Sequence, residues 1–132
     1  MKLSFAVAVA GILTTQAAIS APVTYICNID NQETRGWIAP QYVFNIEPNS
    51  KHASHTTSSG GFTSSKLRVD RKGNYRISWQ EKPKAANGQK FWIDYFAQID
   101  IKQNTISLRG TFVQRWLVNP PKTIGNCTVT TK

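Results

Sequence analysis

Between Phe91 and Leu117 the chain alternates apolar and polar residues twice over, with Lys102-Gln103-Asn104 in between. In the first arm Phe91, Ile93, Tyr95, Ala97, Ile99 and Ile101 take the odd positions and Asp94, Gln98 and Asp100 fall between them. That period of two is what a strand with one buried face requires. In the second arm Ile106, Leu108, Gly110, Phe112 and Trp116 share one side, while Thr105, Ser107, Arg109, Thr111 and Arg115 share the other. The pattern predicts a long β-hairpin. A second hairpin follows from residues 66–80, where Leu67, Val69, Tyr75, Ile77 and Trp79 alternate with Lys66, Arg68, Asp70, Arg76, Ser78 and Gln80 around an Arg71-Lys72-Gly73-Asn74 turn.

Shorter runs complete the pattern. Val23 to Ile29 is β-branched and apolar between Pro22 and Asp30-Asn31, and Tyr42 to Ile46 ends at the corner-forming Glu47-Pro48-Asn49. Pro40, with no backbone N–H, marks a bend or an edge before the second of these strands. Cys127 to Thr131 reads as a last strand after a turn that holds Pro120-Pro121 and Gly125. Residues 50–65 are dominated by hydroxyl side chains and glycine, with Phe62 the one large apolar residue, and two readings stand: a weak strand centred on Ala53 to Thr57, or a loop over one end of the fold. Residues 81–90, with Pro83 and Asn87-Gly88, read as a solvated connection. About seven strands with regular turn signals predict an all-β antiparallel meander, closed as a small barrel or strongly curved, with a sandwich as the other arrangement that pairs the two ends.

The start of the chain does not share this pattern. Lys2, an apolar run from Leu3 to Leu13 and the small residues around Ala17 to Ala21 have the three parts of a secretory signal peptide, cleaved after residue 20. The run is too short to span a bilayer as a helix. Residues 21–132 are then one exported all-β domain, periplasmic or secreted. Removing the leader takes one of 16 basic residues and leaves 15 against 7 acidic ones, a formal charge of +8. Such a balance attracts polyanions. Cys27 and Cys127, the only cysteines, have one possible pairing, and an oxidising compartment favours a disulfide over a metal site.

Candidate chemistry is sparse. His52 and His55 have HxxH spacing, a weak metal signal that two solvated loop histidines explain better. The seven carboxylates are scattered, there is no GxSxG or phosphate-binding glycine loop, and no cofactor is implied, so binding is favoured over catalysis. Alternation instead places Lys66, Arg68, Arg76, Arg109 and Arg115 on the outer side of the two hairpins, a basic face suited to an acidic lipid, glycan or peptidoglycan. Nucleic acid is disfavoured, because the aromatic residues on these strands alternate toward the core instead of toward bases. Trp92 and Phe96 fall opposite Ile93 and Tyr95, which makes that strand apolar on both sides; either residues 50–65 cover them or they form a patch for a protein partner.

The order of these features resembles that of short exported proteins of Gram-negative bacteria with no assigned function: a leader, early Cys27, Gly36-Trp37-Ile38-Ala39-Pro40, the Tyr75 to Trp79 strand, a Tyr95-containing strand and late Gly125-Asn126-Cys127. That resemblance implies export and a β fold and carries over no site residues. The architecture also looks like that of small periplasmic lysozyme inhibitors, which gives an alternative function as a binder of a partner enzyme. Charge opposes it, since two basic proteins repel on approach.

Overall fold

The computed structural model describes residues 22–30, 37–57, 60, 62–84, 87–114 and 120–131. The expected leader, Gly36, Arg115 and Trp116 lie outside the described residues. Among the described residues eight strands run in chain order as β1 (Val23–Ile29), β2 (Gln41–Ile46), β3 (His52–Thr57), β4 (Phe62–Val69), β5 (Tyr75–Glu81), β6 (Ile93–Asp100), β7 (Thr105–Phe112) and β8 (Lys122–Thr131). Each pairs antiparallel with the next, and β1 pairs with β8, so the meander closes into a barrel without a free edge. Neither an open sheet nor a sandwich is formed.

Closure sets Cys27 directly opposite Cys127 in the β1–β8 register, and the two are disulfide-bonded. Inward-facing residues fill the barrel. Tyr25, Phe44, Ile46, Ile77, Trp79, Ile93, Tyr95, Ile99, Ile106 and Leu108 are all buried, and Trp79 stacks on Tyr95 with ring centroids 5.3 Å apart. Across β7 the residue level with that pair is Gly110. A Cβ there would come within 2.9 Å of Ile93 and 3.1 Å of Pro121, so the glycine makes room for those two side chains.

In residues 50–65 the strand reading holds over the loop, because β3 and the first half of β4 lie there. Their inward positions are the small Ala53 and Ser65 and the imidazole of His55, flanked by the rings of Phe44 on β2 and Trp79 on β5. Large neighbours fill the space that small residues leave, so the pair needs no apolar stripe of its own. The segment 81–90 is likewise more than a connection. Lys84 and Lys90 form a β-bridge, and Asn87 accepts a hydrogen bond from the Gln89 amide at 3.0 Å, so the β5–β6 hairpin continues beyond the barrel rim as a short arm.

The two ends of the barrel differ. At one, the tight turns after β4 and β6 are built on Asp70 and Asp100, whose carboxylates accept from the amides of Lys72, Asn74, Lys102 and Gln103 at 2.9–3.1 Å. Buried Asn74 ties the turns together by accepting from the Ile101 amide at 3.2 Å. At the other, Trp37 and Ile38 fold over the opening. Trp37 meets Phe91 and Phe112 edge to face, and its carbonyl accepts a 2.6 Å hydrogen bond from the Tyr95 hydroxyl.

Candidate functional site

The outer face of β4–β8 is a grid fixed by register. One row across it reads Lys66, Ser78, Phe96, Arg109, Lys122, and the next reads Arg68, Arg76, Gln98, Ser107, Ile124. Alternation turns every one of these side chains away from the core. Together they border a shallow groove of about 800 Å³. Four of the five basic residues singled out by sequence, Lys66, Arg68, Arg76 and Arg109, therefore do meet on one surface. Arg115 lies outside the described residues. Lys122 joins them, a residue that the reading of 118–126 as a turn passed over, although β8 begins there.

Two features of the grid bear on its chemistry. Arg68 stands directly opposite Arg76, and Arg109 directly opposite Lys122. Like charges on facing strands destabilise a sheet, so each pair is an unfavourable arrangement that an anion between the two heads would relieve. One carboxylate offsets part of it: Asp70 Oδ2 lies 3.6 Å from the Arg76 Nε as an ion pair, while its Oδ1 accepts from the amides of its own turn. Between the two cation pairs the floor is neutral. Phe96 lies there, with the Arg109 guanidinium 4.5 Å above its ring. That contact holds the Arg109 plane over an apolar base while its edge donors remain available.

Trp92 and Phe96 are both exposed, at 41% and 37%, and each is topped by a cation, Trp92 by the Lys82 ammonium at 5.4 Å. Those side chains supply part of their cover, while residues 52–57 and 62–65 lie in the barrel wall as β3 and the start of β4. Phe96 belongs to the groove and Trp92 to the rim, so the two do not form one patch with each other alone.

The histidines part company. His52 is exposed on the outer side of β3, and His55, three residues on, faces inward with no exposed surface. The odd spacing sends them to opposite faces of one strand, which corrects the picture of two solvated loop histidines and separates the HxxH pair. Among the described residues no three His, Cys, Asp or Glu side chains cluster as metal ligands. His55 instead joins Ser65 and Glu81: its Nδ1 lies 3.0 Å from the Ser65 Oγ and its Nε2 3.3 Å from the Glu81 Oε1. Thr63 also donates to that Glu81 oxygen at 3.3 Å.

Serine, imidazole and carboxylate in series can drive acyl transfer where the serine faces a cleft with oxyanion donors. Here Ser65 is buried and the imidazole lies 4.3 Å, centroid to centroid, from Trp79, so the series acts as an internal brace across β3, β4 and β5. The same interior raises two tyrosine pKa values. Burial pushes Tyr42 up to about 12, opposed by the Ala39 amide that donates to its oxygen and reinforced by the Glu81 carboxylate. Tyr95 is raised further, by burial first and then by Tyr42 and Glu81. Glu81 was missed in the sequence, although the alternation Tyr75, Ile77, Trp79 carried one step further puts it on the inner face.

Among the described residues no helix is long and apolar enough to cross a membrane. Comparison of the chain with protein-family models, curated proteins and solved structures finds no match.

Proposed function

We propose that this protein binds an anionic component of the cell envelope through the basic outer face of β4–β8, in the periplasm or after secretion. The disulfide fits an oxidising compartment. The observation that carries the reading is the pair of like-charged cross-strand couples, Arg68 with Arg76 and Arg109 with Lys122, set on either side of a neutral floor. Arginine grips phosphate, sulfate or carboxylate through two parallel N–H donors, and two such couples suit a ligand bearing more than one acidic group.

The test is retention of the purified protein on peptidoglycan and on soluble polyphosphate at low and high salt, beside a variant with Arg68, Arg76, Arg109 and Lys122 all changed to Gln. Binding should weaken steeply as salt rises, because the screening length shrinks from about 10 Å at 0.1 M to about 3 Å at 1 M. The variant should bind about tenfold or more weakly, since a hydrogen bond to a charged group contributes about 1.5–3 kcal/mol. Equal binding by variant and parent overturns the reading. So does a salt-tolerant stoichiometric complex with a lysozyme, the behaviour of an enzyme inhibitor.

A further inference from the structure

The rim above the basic face has a chemistry of its own. Phe62 opens β4, Trp92 immediately precedes β6 and Val113 immediately follows β7, so all three lie at the end of the barrel that carries the β5–β6 arm. Their register is continuous with the grid below. The Val113 amide donates to the Trp92 carbonyl at 3.1 Å, and the Thr63–Glu81 hydrogen bond brings the start of β4 level with the end of β5, next to Phe62 and Lys82. Phe62 is 71% exposed, Val113 49% and Trp92 41%. With strands about 4.8 Å apart, the three span roughly 15 Å along one side of the rim.

Cations surround this apolar edge. Lys82 sits over Trp92, and Lys84 faces Lys90 across the arm, a third like-charged cross-strand couple. Of two carboxylates near this rim, Glu81 is turned to His55 and Thr63, and Asp94, on the outer side of β6, accepts from the Gln80 side chain at 2.8 Å. Tryptophan and phenylalanine beside lysine is the composition that settles at the boundary between lipid headgroups and acyl chains. A neutral aqueous partner would meet uncompensated lysines, whereas an anionic bilayer meets apolar tips with its acyl edge and the lysines with its headgroups. The basic rows containing Lys66 and Arg68 lie two and three residue pairs further down the strands, roughly 14–20 Å away and beyond the screening length of about 10 Å at 0.1 M, so the rim lysines carry the attraction.

We infer that the protein docks on anionic lipid bilayers by this end, with Phe62, Trp92 and Val113 dipping into the headgroup boundary and Lys82, Lys84 and Lys90 at headgroup level. The inference shares with the anionic-ligand reading only the sign of its target and uses different residues. The experiment is sedimentation with vesicles of phosphatidylglycerol and phosphatidylcholine, and with phosphatidylcholine alone, combined with tryptophan quenching by brominated lipid.

The parent should bind the anionic vesicles, and part of its fluorescence should be quenched in a way that Trp92→Phe abolishes. Changing Phe62 and Trp92 together to Ala should lower vesicle partitioning at least tenfold while leaving polyphosphate binding intact. Changing Lys82, Lys84 and Lys90 to Gln should cost about fivefold for each charge, following about 1 kcal/mol per lysine near an anionic surface. Absence of vesicle binding overturns the inference, and so does binding with no quenching of Trp92 and no loss in the Phe62/Trp92 variant. Polyphosphate binding that fails while quenching persists would sink the basic-face reading and leave this one standing.

Discussion

His55 shows how much one buried polar side chain commits its neighbours. Its two ring nitrogens reach Ser65 on β4 and Glu81 on β5, and a partner left unsatisfied in a packed interior costs about 1–3 kcal/mol. Ser65→Ala should therefore lower stability by about that amount. His55→Ala, which also opens a cavity beside Phe44 and Trp79, should cost more, both measured by urea unfolding with unchanged slope. The tyrosines give a pH dependence with a definite sign. Tyr42 ionises near 10 in the unfolded chain and at about 12 in the fold, so the folded state holds its proton longer. Stability from this group is complete below pH 10 and declines as pH rises from 10 toward 12. Tyr95 acts in the same direction. Thermal melts across that range, with tyrosinate absorbance as the second probe, should show the decline together with late ionisation; tyrosines that all titrate normally in the folded protein would contradict it.

At the scale of the element, alternation made most strands legible and misjudged those whose inner face is small. The β6–β7 hairpin and residues 66–80 of β4–β5 alternate mostly apolar with polar residues, and both pair as antiparallel hairpins. β3 stood only as one of two readings because its inner face is Ala53 and His55, with the filling mass supplied by Phe44 and Trp79 on neighbouring strands. No single-strand pattern contains that information. Arginine placement on the outer face was legible for the same reason that the core was, since one parity fixes both. Lys122 was not, because the Pro120-Pro121 turn ends sooner than its composition suggested. Glycine spacing supplies a check at this scale. A Cβ on Gly125 would run into the Asn28 carbonyl of β1, and one on Gly110 would press on Ile93 and Pro121. Gly110→Ala should destabilise by about 1–3 kcal/mol through overpacking. Gly125→Ala should do at least as much, because backbone cannot step aside as a side chain can. Melting temperatures of the two variants check this.

For the whole molecule, the disulfide joins strands 100 residues apart in sequence. In the chain-entropy account, closing a loop of that length stabilises by up to about 4.7 kcal/mol. Reduction should accordingly lower the urea midpoint substantially, and a Cys27→Ala, Cys127→Ala double variant should reproduce the reduced protein. The charge of the chain, +9, acts at the same scale. Among the described residues, Lys66, Arg68, Arg76, Arg109 and Lys122 lie on the outer face of β4–β8 and Lys82, Lys84 and Lys90 at the adjoining rim, so raising salt should relieve repulsion within the fold while it weakens binding to anions, and the two effects can be read separately as melting temperature and retention.

Pairing of β1 with β8 also imposes an order in time. When β1 emerges during synthesis its outer backbone groups face a vacancy, and the partner that fills it follows 100 residues later. At about 5–20 residues per second that interval is roughly 5–20 s. Throughout it Cys27 is a solitary thiol on a strand that has only β2 to pair with, and no oxidant can seal the barrel early. The covalent lock can close only on a chain whose last strand has already arrived.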